Sequence, residues 1–404
     1  MISPVHIWTA EKTGLGNDLD PSSLAGWQAE KLSAVIRYAH KNSRYYRERI
    51  TGFENLQQLP FTSPSDLSED PFAFLAVSQN RVARVTSLAN SGTTILRKRI
   101  FFSTADIDRT VDFFAAGMST MVTKGDHVQI LISNKTENSL GSMLSRGLEL
   151  LGVTSGISGP LRNVGRALEV SREADCIVGM PAEVLYMCRT EPGLRPKAVL
   201  LAADIATPAV IDAIRQTWKC EVFTHYGHSE FGFGCAVDCC AHDGLHLRDA
   251  GLIFEIIDPA TGMPAVPGES GEIVITTLSN EAMPLLRYRT GNISAMIDTP
   301  CSCGSSLQRL GRIEGRYNNE LILRTGHILS IYDLDEILLN DARILGFEAK
   351  YESATGILHL TIDSPAKTDL PFLEKSLPEE LVLNISYGKA DPFTSHRKRR
   401  IELI

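Results

Sequence analysis

No window of the 404-residue sequence approaches the roughly 20 consecutive apolar residues that span a bilayer, so no membrane-spanning helix is expected. The opening Met1-Ile2-Ser3-Pro4-Val5-His6 lacks the basic-then-apolar order of a secretory signal, and a cytoplasmic location is the expectation. Basic charge is also short: 40 Lys plus Arg stand against 48 Asp plus Glu, a formal charge of −8. Nucleic-acid binding needs a basic footprint to neutralise phosphates, so that class is set aside. One basic cluster exists, His396-Arg397-Lys398-Arg399-Arg400, near the end. Neither an internal repeat nor a low-complexity tract is present. In a reducing cytoplasm the eight cysteines read as metal ligands or packing, not as disulfides.

What is there is an ordinary globular chain, too long for a single core and therefore expected to divide into domains. Leu32, Val35, Ile36, Tyr38 and Ala39 recur at helical spacing with Arg and Lys between, predicting one amphipathic helix over 25–50. Pro60 and Pro64 mark a loop, with Ser65-Asp66 as the expected cap of a short helix. Val128-Gln129-Ile130-Leu131-Ile132, Asp175-Cys176-Ile177-Val178-Gly179, Ala198-Val199-Leu200-Leu201 and Glu221-Val222-Phe223 read as strands, with helices over 143–151 and 208–218. Such alternation predicts a parallel sheet covered by helices. Ligands bind at the carboxyl ends of such strands. Beyond Gly232 the pattern turns antiparallel, with strands over 251–258 and 271–278 joined by a Pro/Gly-rich turn. Gly311-Arg312-Ile313-Glu314-Gly315-Arg316 reads as a hinge, and 320–404 as a small α+β domain.

Five motifs carry chemistry. Asn90-Ser91-Gly92-Thr93-Thr94, followed by Arg97-Lys98-Arg99, offers N–H groups, hydroxyls and a lysine charge to polyphosphate oxygens. By itself it is also compatible with an ordinary turn. Tyr226-Gly227-His228-Ser229-Glu230 follows a strand, with an aromatic to stack a base, a glycine for close approach and a carboxylate for Mg²⁺. A nucleophile elbow around Ser229 is the rival, but Phe231 stands where that motif needs its second glycine. His225 and His228 are given no proton-transfer role. Leu286-Arg287-Tyr288-Arg289-Thr290-Gly291-Asn292, Gly315-Arg316-Tyr317-Asn318-Asn319, and Asp391-Pro392-Phe393-Thr394-Ser395 leading into Lys398 complete the series. Each alone could be a surface turn; their order and spacing carry the signal.

In that order the motifs resemble the phenylacetate–CoA ligase branch of the AMP-forming, or adenylate-forming, superfamily. Tyr45-Tyr46-Arg47-Glu48-Arg49, Leu59-Pro60-Phe61-Thr62 and Pro284-Leu285-Leu286-Arg287 extend the likeness along nearly the whole chain. The resemblance implies an α/β fold, with a large multi-layer N-terminal domain and β-rich part over 1–316 and a small mobile α+β domain over 317–404. It implies an ATP-dependent, AMP-forming carboxylic acid–CoA ligase working through an acyl-adenylate, with an aryl or arylacetic acid favoured. Ser91, Gly92, Thr93, Thr94 and Lys98 would form the phosphate loop. Tyr226 and Gly227 would line the adenine pocket, with Ala203 and Asp204 on its other wall and His228 and Ser229 in the same nucleotide motif. Glu230 would coordinate Mg²⁺. Asn292 stands where the family carries a ribose-binding aspartate. Arg316 would contact ribose and phosphate, Asn318 would be the hinge, and Lys398 would offset charge during adenylation. The implied partners are a small carboxylic acid and CoA, with no nucleic acid and no membrane, and a homodimer is the assembly considered. Met180-Pro181-Ala182 could line the acyl pocket.

The sequence departs from the family pattern at several of these places. Ile95 replaces a loop glycine, and Asn292 keeps an acceptor but loses the charge. Asn318 and Asn319 replace hinge aspartates, and Arg397 replaces the glycine before Lys398. Two other readings therefore stand beside the ligase: adenylation with a non-CoA acceptor, and a nucleotide-binding homologue without turnover. Separately, Cys239-x-x-His242 and Cys301-x-Cys303-Gly304 suit a closed tetrahedral structural zinc site, with Cys240 and His246 as nearby alternatives.

Overall fold

The computed structural model describes residues 2–51, 55–88, 98–133, 136–159, 161–266, 268–316, 321–365, 370, 372–390, 392–394 and 399–404. The chain forms two compact units. The first holds Met1–Thr120, Arg146–Leu151 and His225–Glu314; the second holds Met121–Ser145, Gly152–Thr224 and Gly315–Ile404. No helix among the described residues is long and apolar enough to cross a membrane.

The second unit contains the expected parallel sheet. Its strands lie in the order Thr154–Gly159, His127–Ser133, Cys176–Gly179, Ala198–Leu201 and Glu221–Tyr226, the last contributing through Thr224. Cys176–Gly179 and Ala198–Leu201 are buried along their whole length, as apolar runs in a sheet covered on both faces must be. The reversal of strand order at His127–Ser133 makes a topological switch point. Helices Val164–Ser171, Pro181–Thr190 and Pro208–Trp218 run between the strands. The last two start on proline, whose missing N–H costs nothing in a first turn.

The same unit holds a four-stranded sheet, ordered Val382–Tyr387, Ile357–Asp363, Gly346–Glu352 and Glu402–Leu403, with helix Ile331–Leu338. One apolar cluster joins Leu131, Val184, Ile214 and Trp218 to Leu334, Leu338, Phe347, Leu358 and Phe393. The segment expected as a small domain, 317–404, thus lies inside this unit.

The first unit carries three antiparallel strands, Leu252–Ile257, Gly271–Thr277 and Tyr288–Ser294, and a hairpin of Arg84–Leu88 with Lys98–Phe102. Ala236–Val237, Leu245–Leu247, Arg309–Leu310 and Met296–Ile297 form a further antiparallel set beyond His225 and Tyr226. The single helix expected over 25–50 is broken into Pro21–Asn42 and Arg44–Arg49. Ser43 sits between them, extended and fully buried, because its Oγ donates to the Ala73 carbonyl at 2.9 Å. The short helix Pro64–Glu69 is capped by Ser63, one turn of a reciprocal cap with Asp66, and not by Ser65-Asp66.

Two family-like segments turn out to brace each other. Thr62 N donates to the Arg287 carbonyl and Arg289 N donates to the Thr62 carbonyl. The Arg287 guanidinium lies 4.0 Å above the Phe61 ring and pairs twice with Glu255, at 3.1 and 3.0 Å. Removing one partner of such a buried pair costs about 3–5 kcal/mol, so these residues serve the scaffold.

Asp249, also in the first unit, is buried, and burial pushes its carboxyl up to about 7. The folded state then binds the proton more tightly than the unfolded chain, whose carboxyl titrates near 4. Stability from this group is full below pH 4 and is lost as pH rises towards 7. Asp249→Asn should therefore be the more stable form at pH 8, by on the order of 2–4 kcal/mol, and should lose that advantage near pH 4. Urea midpoints of both proteins at the two pH values check this.

Candidate active site

Strand Glu221–Tyr226 delivers its last side chain to a tight turn, Gly227-His228, and a short 3₁₀ turn, Ser229–Phe231. Only glycine fits at 227: a Cβ there would lie 2.0 Å from the Phe233 carbonyl oxygen. The next turn closes through Gly232 at φ 81° and Phe233 at φ 72°, the latter a costly conformation for a side-chain-bearing residue. The result presents Glu230 as a fully buried carboxylate, 1% exposed.

Glu230 gathers three partners within the first unit. Lys98 Nζ, at the start of strand Lys98–Phe102, donates to Oε1 at 2.7 Å. The Tyr288 hydroxyl donates to the same oxygen at 2.9 Å, and His228 Nδ1 lies 2.7 Å from Oε2. Burial alone would raise the Glu230 carboxyl, but His228 and Lys98 outweigh it and hold it far below the usual carboxylate range. The carboxylate is therefore ionised at any working pH. Asn292 Nδ2 donates to the Tyr226 hydroxyl at 2.9 Å, so these two expected nucleotide residues are brought together.

Tyr288 was not singled out from sequence. The signal existed: strand Tyr288–Ser294 alternates buried and half-buried positions, so Tyr288 shares the face of Asn292. Lys98, Tyr226, Gly227, His228, Ser229, Glu230 and Asn292 all lie in the first unit. Ser91 to Thr94, Asn318, Asn319 and Lys398 lie outside the described residues.

The second unit holds the remaining expected contacts. Ala203 adopts φ 69°, a left-handed conformation that aims the following carboxylate. Asp204 Oδ1 accepts from Tyr332 OH and from Ile205 N, both at 3.0 Å, and Oδ2 accepts from Arg399 N at 3.3 Å. Asp204 thus anchors the C-terminal segment. Arg399 itself pairs with buried Asp335 and stacks 4.4 Å from Phe347. Burial lifts Asp335 to about 6 despite Arg399. Arg316 ends a two-residue strand, Gly315–Arg316, in the same unit. Met180 and Ala182 line a cavity of about 80 Å³, together with Glu183, Phe347 and Arg399.

A second cluster in the first unit joins Cys239, His246, Cys301 and Cys303. All four are buried, and their ligand atoms lie within 4.8 Å of one another. Cys239 Sγ is 3.7 Å from Cys301 Sγ, and Cys303 Sγ is 3.6 Å from His246 Nε2. A tetrahedral zinc with ordinary bond lengths needs edges of about 3.6–3.8 Å, so the donor set fits. The imidazole is His246 and not His242, which instead places Nδ1 2.8 Å from Asp238 Oδ2. Burial, then nearby Arg309, pushes His246 down to about 4, leaving the neutral ring a metal requires. Fully buried Arg309 ties the two loops together, contacting Asp243 on one side and the Thr299 carbonyl at 2.8 Å on the other.

The fold is that of the adenylate-forming CoA ligases. The structure matches 2-hydroxyisobutyryl-CoA ligase, in the postadenylation state in complex with R3-HIB-AMP, with a TM-score of 0.81, 17% identity, and coverage of 96% of this chain and 90% of that one. In sequence the chain is 30% identical over 342 residues to phenylacetate–coenzyme A ligase of Aromatoleum evansii, covering 78% of this chain and 76% of the relative. It is 29% identical over 330 residues to the protein of the same name from Thermus thermophilus, covering 76% and 73%. No protein-family model matches the chain. The chain belongs to the phenylacetate–CoA ligase family.

Proposed function

We propose that the protein activates a carboxylic acid with ATP and joins it to coenzyme A, releasing AMP. The observation that carries this reading is the buried, ionised Glu230 beside Lys98 and Tyr288, set directly after Tyr226-Gly227 in a member of this family. A carboxylate oxygen of the acid would attack the α-phosphorus, and the bond to pyrophosphate would break. The CoA sulfur would then attack the acyl carbon, the thiol proton would leave to solvent, and AMP would depart. Magnesium carried with ATP supplies neutralisation of phosphate charge.

In this reading Ser91, Gly92, Thr93, Thr94 and Lys98 contact the polyphosphate, and Lys398 offsets charge in the adenylation step. Tyr226, Gly227, His228 and Ser229 line the base side, Asn292 takes the ribose, and Arg316 reaches ribose and phosphate. Ala203 and Asp204 complete the wall, with the Asp204 carboxylate engaged as described. Residues 317–404 would rotate about Asn318 against 1–316 between the two steps. The acid would be aryl or arylacetic, as the names of the sequence relatives suggest. A cytoplasmic site of action goes with ATP and CoA as substrates. Zinc held by Cys239, His246, Cys301 and Cys303 would be structural, its four positions closed by protein.

Ile95 and the neutral Asn292 favour a second reading, a nucleotide-binding homologue that does not turn over. Acid-dependent exchange of labelled pyrophosphate into ATP separates the two. The ligase reading expects exchange with an arylacetic acid in the absence of CoA; lack of exchange with every acid, while ATP still binds, would leave the second reading in place.

A further inference from the structure

One oxygen of Glu230 is already taken by the protein, and the other lies beside an imidazole nitrogen. Oε1 has Lys98 Nζ at 2.7 Å and Tyr288 OH at 2.9 Å, and Oε2 has His228 Nδ1 at 2.7 Å. The side chains of Glu230 and His228 are 2% and 5% exposed, and that of Lys98 is 16% exposed. Magnesium demands near-octahedral oxygen ligands at about 2.0–2.1 Å. A single carboxylate with an ammonium already on one oxygen does not offer that, and the ammonium repels an incoming cation at short range. As arranged here, Glu230 does not fit the magnesium that the family resemblance places on it.

We propose that Lys98 is the resident cation of Glu230, and that a divalent ion reaches this carboxylate only when nucleotide phosphates draw Lys98 away. The inference rests on the nucleotide-binding reading above. Glu230 sits on a buried turn and is further fixed by Tyr288, so the carboxylate stays in place. Lys98 ends in a compact charge on a flexible stem, and it is the more exposed partner. A polyphosphate carries more negative charge than one carboxylate and competes for that ammonium. Nucleotide and metal then promote one another by the same factor, as linkage requires.

Manganese is the probe, with the free ion followed by electron paramagnetic resonance. Without nucleotide, wild-type protein should show no stoichiometric Mn²⁺ site. Lys98→Met should bind one Mn²⁺ at least about tenfold more tightly than wild type, and Lys98→Met combined with Glu230→Gln should lose it. Lys98→Gln replaces the methionine variant if thermal melts show that it does not fold. Two results overturn the proposal: a nucleotide-free wild-type site abolished by Glu230→Gln, or Lys98 variants that bind no more tightly than wild type. Calorimetry with a non-hydrolysable ATP analogue is separate. Failure of the analogue to bind would remove the ligase reading, while the nucleotide-free Mn²⁺ comparison would still decide what Lys98 does.

Discussion

Glu230→Gln is expected to lower acid-dependent pyrophosphate release by about 10²–10³-fold, the usual consequence of removing a preorganised electrostatic group from an enclosed site. Glutamine keeps the shape and one acceptor oxygen, but it loses the charge that Lys98 and His228 share. It also points two N–H donors into a place where only acceptors are wanted. Tyr288 is fully buried, so its hydroxyl must share the single remaining acceptor with Lys98. Breaking the buried pair should also cost about 3–5 kcal/mol of stability. Rapid-quench measurement of pyrophosphate in a single turnover, beside a urea titration, separates the two effects. A variant with near-wild-type chemistry and reduced stability would make Glu230 a scaffold residue only.

The second large effect concerns the thiolate cluster. His246→Ala should purify without zinc and should lose stability on the order of several kcal/mol, because metal binding to a closed site is folding free energy. His242→Ala should retain one zinc per chain, since that imidazole is turned onto Asp238. Elemental analysis of the two variants with matched urea titrations distinguishes them. Zinc lost from His242→Ala and kept in His246→Ala would reverse the assignment. Wild-type protein that carries no zinc and shows no change with a chelator would remove the metal altogether and leave a packed thiol cluster.

These two sites also show where sequence was legible and where it was not. Helix Pro208–Trp218 could be read to the residue, because proline at its start and apolar periodicity along it are local signals. Four of the five parallel strands were equally open, since apolar runs say that both faces are covered, whereas the half-buried edge strand Thr154–Gly159 carries no such run. The break at Ser43 was hidden because its cause is a bond to Ala73, thirty residues away in the chain. The Cys/His cluster was half visible. The short Cys239–His242 spacing drew the imidazole assignment, whereas the choice of His246 depends on a strand, Leu245–Leu247, and on Arg309 bridging two loops. At the expected nucleotide motif Asn292 meets Tyr226 and Lys98 meets Glu230, yet the pairing of Lys98 with Glu230 spans the unit and no local pattern encodes it. Alternation along Tyr288–Ser294 was the one unused clue to Tyr288. Asp204 illustrates the opposite case: its place in the motif suggested the adenine wall, and its carboxylate is occupied by Tyr332 and the Arg399 backbone.

The most direct test of the central claim is product analysis by mass spectrometry. Purified protein would be incubated with ATP, Mg²⁺, CoA and phenylacetate, in parallel with other aryl, arylacetic and aliphatic acids. Acid–CoA ligation requires an acyl-CoA thioester and AMP in equal amounts for at least one arylacetic acid, and neither product when the acid is omitted. Neither thioester nor AMP from any acid in the series, with the protein folded and binding ATP, would contradict it.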